Sequence, residues 1–108
     1  PAPGQGALAV QCRDDAQWRA FLAPIHHANT QIATDAERGF LSALGGGCAL
    51  PIAAYAQVID NQLSLIGRII TRDGSQLWED TVITSLDDSA SIGSLLADKL
   101  RSKGAKWD

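Results

Sequence analysis

The chain has 108 residues, of which 45% are hydrophobic and 19% charged, an ordinary balance for one soluble globular domain. Its net charge of −3 gives no basic face for nucleic acid, and no apolar run approaches the ~20 residues of a membrane span. Cys12 and Cys48 are too few for a disulfide scaffold, and with His26 and His27 adjacent and no Cys-x-x-Cys they lack common zinc-motif spacing, so a reducing, cytoplasmic setting is expected.

In chain order, Ala7 to Arg13 is short and apolar, ends at Asp14-Asp15, and reads as a strand. Cys12 within it is expected to pack rather than react. Asp14 or Asp15 then caps a helix through Trp18, Phe21 and Leu22. Pro24 weakens its end, and His26 to Asn29 is the break. The paired histidines invite an acid–base role. No carboxylate or nucleophile stands at motif spacing from them, so they are expected as solvent-facing polar residues.

A second helix is expected from about Thr30 to Leu44, with Ile32, Ala33, Ala36, Phe40, Leu41 and Leu44 inward. Thr34-x-x-Glu37 matches a capping box, which would restart the helix and give Glu37 a local structural role worth about 1 kcal/mol. Arg38 is expected exposed or locally paired. Gly45-Gly46-Gly47 ends the helix, and Pro51 fixes the exit of the loop that carries Cys48.

Three strands follow, Ile52 to Asp60, Leu63 to Thr71 and Leu77 to Ser85, with Ala54, Ala56 and Val58 on one face of the first. Asp60-Asn61-Gln62 makes one tight turn, and Asp73-Gly74 is the signature of a two-residue hairpin. Asp87-Asp88-Ser89 caps a last helix with Ile92, Leu95, Leu96 and Leu100 inward, ended by Gly104. The expected fold class is α+β: a three-stranded antiparallel sheet with helices packed on one face, in the order helix-strand-strand-strand-helix.

Cys48 follows a helix C-terminus, whose negative dipole end disfavours a thiolate, and no activating group stands nearby in sequence. That argues against a protease-like or redox nucleophile. On chemistry alone a small packing residue is the favoured reading. A permanent thioether, made with a very reactive electrophile, needs no such activation.

Two segments change that balance. Thr34-Asp35-Ala36-Glu37-Arg38, followed by Leu44-Gly45-Gly46-Gly47-Cys48 and Pro51-Ile52, resembles the cofactor-attachment region of the porphobilinogen deaminase (hydroxymethylbilane synthase) family. Pro1-Ala2-Pro3-Gly4-Gln5-Gly6-Ala7-Leu8, with Arg13 following, resembles the family's signature near the end of its second domain. Small departures are Pro3 in place of an aliphatic residue, Gln11 in place of Glu, and Ala53 where Gly often follows Pro-Ile. The resemblance runs over essentially the whole chain and over the C-terminal third or so of such an enzyme.

The resemblance implies that Cys48 carries a covalent dipyrromethane cofactor through sulfur, with Gln5 and Gly6 as pyrrole contacts. In this family ammonia leaves porphobilinogen to give an azafulvene, which the cofactor's terminal pyrrole attacks. Four rounds build the chain that is released as hydroxymethylbilane in tetrapyrrole (heme) biosynthesis. The pyrrole carboxylates call for Arg and Lys clamps, and Arg13, Arg38 and Arg68 are scattered. The family places that cluster, and the assisting carboxylate, in the preceding domains, so the 108 residues alone are expected to be inactive. Residues 1–13 are then the terminal strand of the preceding domain, and 14–108 the C-terminal cofactor-attachment domain. A strand without its sheet is a template for association, so Ala7 to Arg13 is expected to be disordered or paired with another copy.

The element order is shared with double-stranded RNA-binding domains, which need cations at the start of the last helix. Asp87 and Asp88 would repel phosphates there. A structural or interaction domain without a covalent ligand is the remaining alternative.

Overall fold

Runs of side chains that alternate inward and outward build the sheet. In the computed structural model, which describes residues 2–45 and 51–105, β1 (Ile52–Ile59), β2 (Gln62–Ile70) and β3 (Leu77–Ser85) form an antiparallel meander in the order β1-β2-β3. Ala56 stands opposite Leu65, and Leu65 opposite Val82. This register turns Ala54, Ala56, Leu63, Leu65 and Ile69 to the buried face, with Val58, Trp78 and Val82 packed beside them. Asp60 and Asn61 have φ of 50° and 62°, the left-handed pair that a two-residue hairpin turn requires.

The second connection differs from the expected two-residue hairpin. Ile70 pairs with Leu77, leaving Thr71 to Gln76 as the loop. Asp73 organises it: one carboxylate oxygen accepts from the Ser75 amide (2.9 Å), the Ser75 hydroxyl (2.7 Å) and the Thr71 hydroxyl (2.7 Å). These bonds hold the Asp73 carboxyl at a pKa of about 2, the backbone bond from Ser75 being the largest cause. Gly74, at φ 73°, turns the chain inside this wider loop.

Helix α1 (Ala16–Leu22) begins where Asp15 accepts a hydrogen bond from the Trp18 amide at 2.9 Å. A 3-10 turn with Pro24 at its start (Ala23–Ile25) stops it. Helix α2 (Ala28–Ala43) is continuous and is capped by His27, so the expected restart at Thr34 does not occur. The Thr34 hydroxyl instead donates back to the Thr30 carbonyl at 3.0 Å. A second 3-10 turn (Leu86–Ser91) contains Asp87, Asp88 and Ser89, and α3 (Ile92–Ser102) starts only after it. Ile92, Leu96 and Leu100 form its fully buried stripe. Leu95 is 44% exposed, a correction to the expected inward set, because the stripe steps by four from Ile92 and leaves Leu95 on its flank. Gly104, at φ 96°, closes the helix as expected.

Both α2 and α3 lie on one face of the sheet, α2 over β1 and α3 over β3, and they pack on each other. Their approach depends on missing side chains. A Cβ on Gly93 would strike the backbone of Gly39 and Phe40, and one on Gly67 would strike the Phe40 ring and Leu96. Phe40 thus fills the space between β2 and α3 and is fully buried.

The free edge of β3 is covered. Lys99 Nζ donates to the Thr81 carbonyl (3.0 Å) and Lys103 Nζ to the Glu79 carbonyl (2.9 Å), and both flank the Asp80 carboxylate. The Asp80 pKa is lowered, first by a hydrogen bond from the Thr81 amide and then by Lys103.

The N-terminal part behaves differently. Ala7 to Arg13 forms no strand, contrary to expectation, and every residue in it is exposed. An apolar run becomes a strand only beside another, and none of the described strands lies alongside it. Among the described elements α1 packs only on the 3-10 turn that follows it. No described helix is long and apolar enough to cross a membrane.

Candidate functional site

The first signature segment folds into two successive turns. Gln5 N donates to the Ala2 carbonyl (3.0 Å) and Ala7 N to the Gly4 carbonyl (3.2 Å). Pro3 suits the second position of the first turn, and Gly4 supplies the positive φ (77°) of the third. Gly6, at φ 87°, does the same for the second turn. The Gln5 side-chain oxygen accepts from Ala2 N at 3.0 Å, while the residue remains exposed, as does Gly6.

The middle amide of the first turn, Gly4 N–H, is not used within the turn. It donates to Glu37 Oε1 at 2.6 Å. The other carboxylate oxygen, Oε2, accepts from the Ala56 amide of β1 at 2.9 Å. Glu37 is 6% exposed, so its carboxyl group sits at the core margin with an N–H on each oxygen. The capping-box role expected for Glu37 is therefore replaced by a long-range bridge between the signature turn, α2 and β1. The available signal was position: Glu37 falls within the helix's own apolar stripe, between Ala33 and Phe40, where an unpartnered carboxylate would be costly.

Cys48 lies outside the described residues, as do Gly46, Gly47, Ala49 and Leu50. Their flanks are defined. Leu44 caps α2 from a buried position and Gly45 turns away at φ 102°. On the far side, the Pro51 carbonyl accepts from Ile70 N at 3.1 Å, one residue before β1. Gly45 and Pro51, the described residues on either side, are both exposed.

Other candidates are spread out. His27 is exposed and uses Nδ1 to accept from the Thr30 amide at 3.1 Å, a helix cap rather than a catalytic contact. Cys12 is exposed on the irregular segment, not packed as expected. Arg68 pairs with Glu79 on the open sheet face, and Lys99 and Lys103 are engaged at Asp80. Arg13 and Arg38 are exposed on separate parts of the chain. These cations do not gather into a carboxylate clamp.

Residues 31–102 match the family model described as "Porphobilinogen deaminase, C-terminal domain". Curated relatives named porphobilinogen deaminase include those of Syntrophotalea carbinolica (40% identical over 97% of this chain and 34% of the relative) and Listeria welshimeri (44%, over 98% and 34%). The relative from Nitrosomonas europaea is 36% identical over 98% of this chain and 35% of its own length. The chain thus spans about a third of the length of these relatives. Nothing in these matches supports the RNA-binding alternative. An α+β body of this topology, matched over α2, the meander and α3, belongs to the porphobilinogen deaminase family and is its C-terminal domain.

Proposed function

We propose that this chain is the cofactor-bearing part of a hydroxymethylbilane synthase, a transferase that condenses four porphobilinogen units into hydroxymethylbilane for tetrapyrrole biosynthesis. The observation that carries the proposal is the alignment of nearly the whole chain with proteins named porphobilinogen deaminase. In this reading residues 1–13 belong with the preceding domain, and 14–108 form the attachment domain.

Cys48 is the proposed tether for a dipyrromethane group. The surroundings fit such a group in two respects. The loop's ends at Gly45 and Pro51 are both on the surface, and its single thiol can form a thioether without an activating base. When bound, the group supplies a pyrrole with a nucleophilic free α-carbon. This chain's part is to hold and orient: the thiol fixes one end, and Gln5 and Gly6 on the double turn are proposed to contact pyrroles. Clamping the pyrrole carboxylates and moving the proton fall to residues of the longer protein, whose preceding domains are this chain's proposed partners. The 108 residues alone should then consume no porphobilinogen.

Intact mass of the full-length protein tests the proposal directly. A fixed addition corresponding to two linked pyrroles, mapped to Cys48 and lost in Cys48→Ala together with turnover, is the expected result. An unmodified Cys48 in active protein would refute it. In the 108-residue chain, Cys48→Ala should change stability by well under the ~2 kcal/mol of a core truncation.

A further inference from the structure

Glu37 spans two backbone donors that regular structure leaves over. One is the middle amide of the Ala2–Gln5 turn, and the other belongs to β1, an edge strand of the sheet. A carboxylate offers acceptors on both oxygens and no donor, so it matches this pair as no other side chain of its size does. Between the two ends of the Gly4–Glu37 bond the chain makes its whole excursion through α1 and the first 3-10 turn, with almost every residue exposed. The bond therefore closes that excursion onto the body.

We propose that Glu37 is a positioning residue that registers the Ala2–Ala7 double turn, and Gln5 with it, on the corner formed by α2 and β1. The turn is stiff by construction: Pro3 fixes one dihedral, and Gly4 and Gly6 take left-handed angles. One buried anchor is then enough to set its orientation. In the longer protein this anchor holds the segment leading in from the preceding residues in a fixed relation to the helix that ends at the Cys48 loop. What Gln5 touches rests on the proposed function; the anchor does not.

The test is NMR on the isotope-labelled 108-residue chain. Through-bond couplings across hydrogen bonds should link the Gly4 and Ala56 amide nitrogens to the Glu37 side-chain carboxyl carbon. Glu37→Gln keeps the shape but has one acceptor oxygen, so at least one of the two amides should exchange about ten-fold faster or more. Glu37→Asp, one methylene shorter, should release Gly4 while α3 amides keep their protection. Absence of the Gly4 coupling in the unchanged protein, or exchange of both amides in Glu37→Gln at the unchanged protein's rates, overturns the proposal. Should the variants fail to fold, the coupling in the unchanged protein decides alone. The Cys48 mass measurement reports separately, so couplings without an adduct would keep the anchor and refute the function.

Discussion

The chain has two phenylalanines, and they meet opposite ends: Phe40 is completely buried, whereas Phe21 is 74% exposed. Both sit on amphipathic helices. Helix α2 turns its stripe onto β1 and α3, which complete its surroundings from the same stretch of sequence. Helix α1 presents Trp18 and Phe21, stacked edge to face at 6.0 Å, with no sheet beneath them. The whole reflects this division. Its radius of gyration is 15.3 Å and its long axis 50 Å, against about 13 Å for a compact domain of this size. An amphipathic pattern establishes that a helix has a face to bury, and says nothing about whether the partner lies in the same hundred residues.

The contrast can be broken most decisively at the two rings. Phe40→Ala should cost about 3–5 kcal/mol in denaturant unfolding, through lost burial and the cavity between β2 and α3. Phe21→Ala should stay within about 0.5 kcal/mol in the same assay. Equal losses would mean that α1 packs on the body in solution. Association is the next test. Leu8 and Val10 are 98% and 62% exposed on a segment that joins no strand. Sedimentation of the 108-residue chain should show self-association through Ala7 to Arg13 that a chain beginning at Asp14 lacks. Monomers in both cases, with protected amides at 7–13, would instead place the segment on its own domain.

The smallest effect lies at the other end of the sheet. The Asp73 carboxyl titrates at about 2 in the folded loop, below its ordinary 3.8. A depressed folded pKa means the contribution is complete above the unfolded value and is lost as pH falls through the folded one. The Ser75 amide shift should therefore titrate with a midpoint near 2. A midpoint at the ordinary carboxylate value would mean that the Asp73 bonds are absent.

Much of the body was legible in the residues because its determinants are local or periodic. The alternation in β1 placed Ala54, Ala56 and Val58 together, and the three strands joined in sequence order. Errors came where a distant or competing partner decided. Thr34 and Glu37 have capping-box spacing, yet Glu37 is claimed by Gly4 and Ala56, which no local window contains. Asp73-Gly74 matches the shortest hairpin, but the Asp73 side chain satisfies Ser75 and Thr71 and stabilises a wider loop. Leu95 was misplaced because positions three and four on from Ile92 are both apolar, and only the step of four, through Leu96 to Leu100, faces the core. At the candidate site, Gln5 and Gly6 are singled out by their motif alone, and the bond from the neighbouring Gly4 to Glu37 has no local signal.

Gly67 and Gly93 are both excluded from carrying a side chain, but by different obstacles, and this constrains how the sequence can drift. At Gly67 the obstacles are the Phe40 ring and the Leu96 methyl, groups that substitution can shrink. Positions 40, 67 and 96 can therefore change as a covarying set, a smaller ring-side residue compensating for an added methyl. At Gly93 the obstacle is the α2 main chain itself, which every residue shares. No second-site replacement can make room there, so position 93 should remain glycine in any relative that keeps this helix crossing, even where every neighbour has changed.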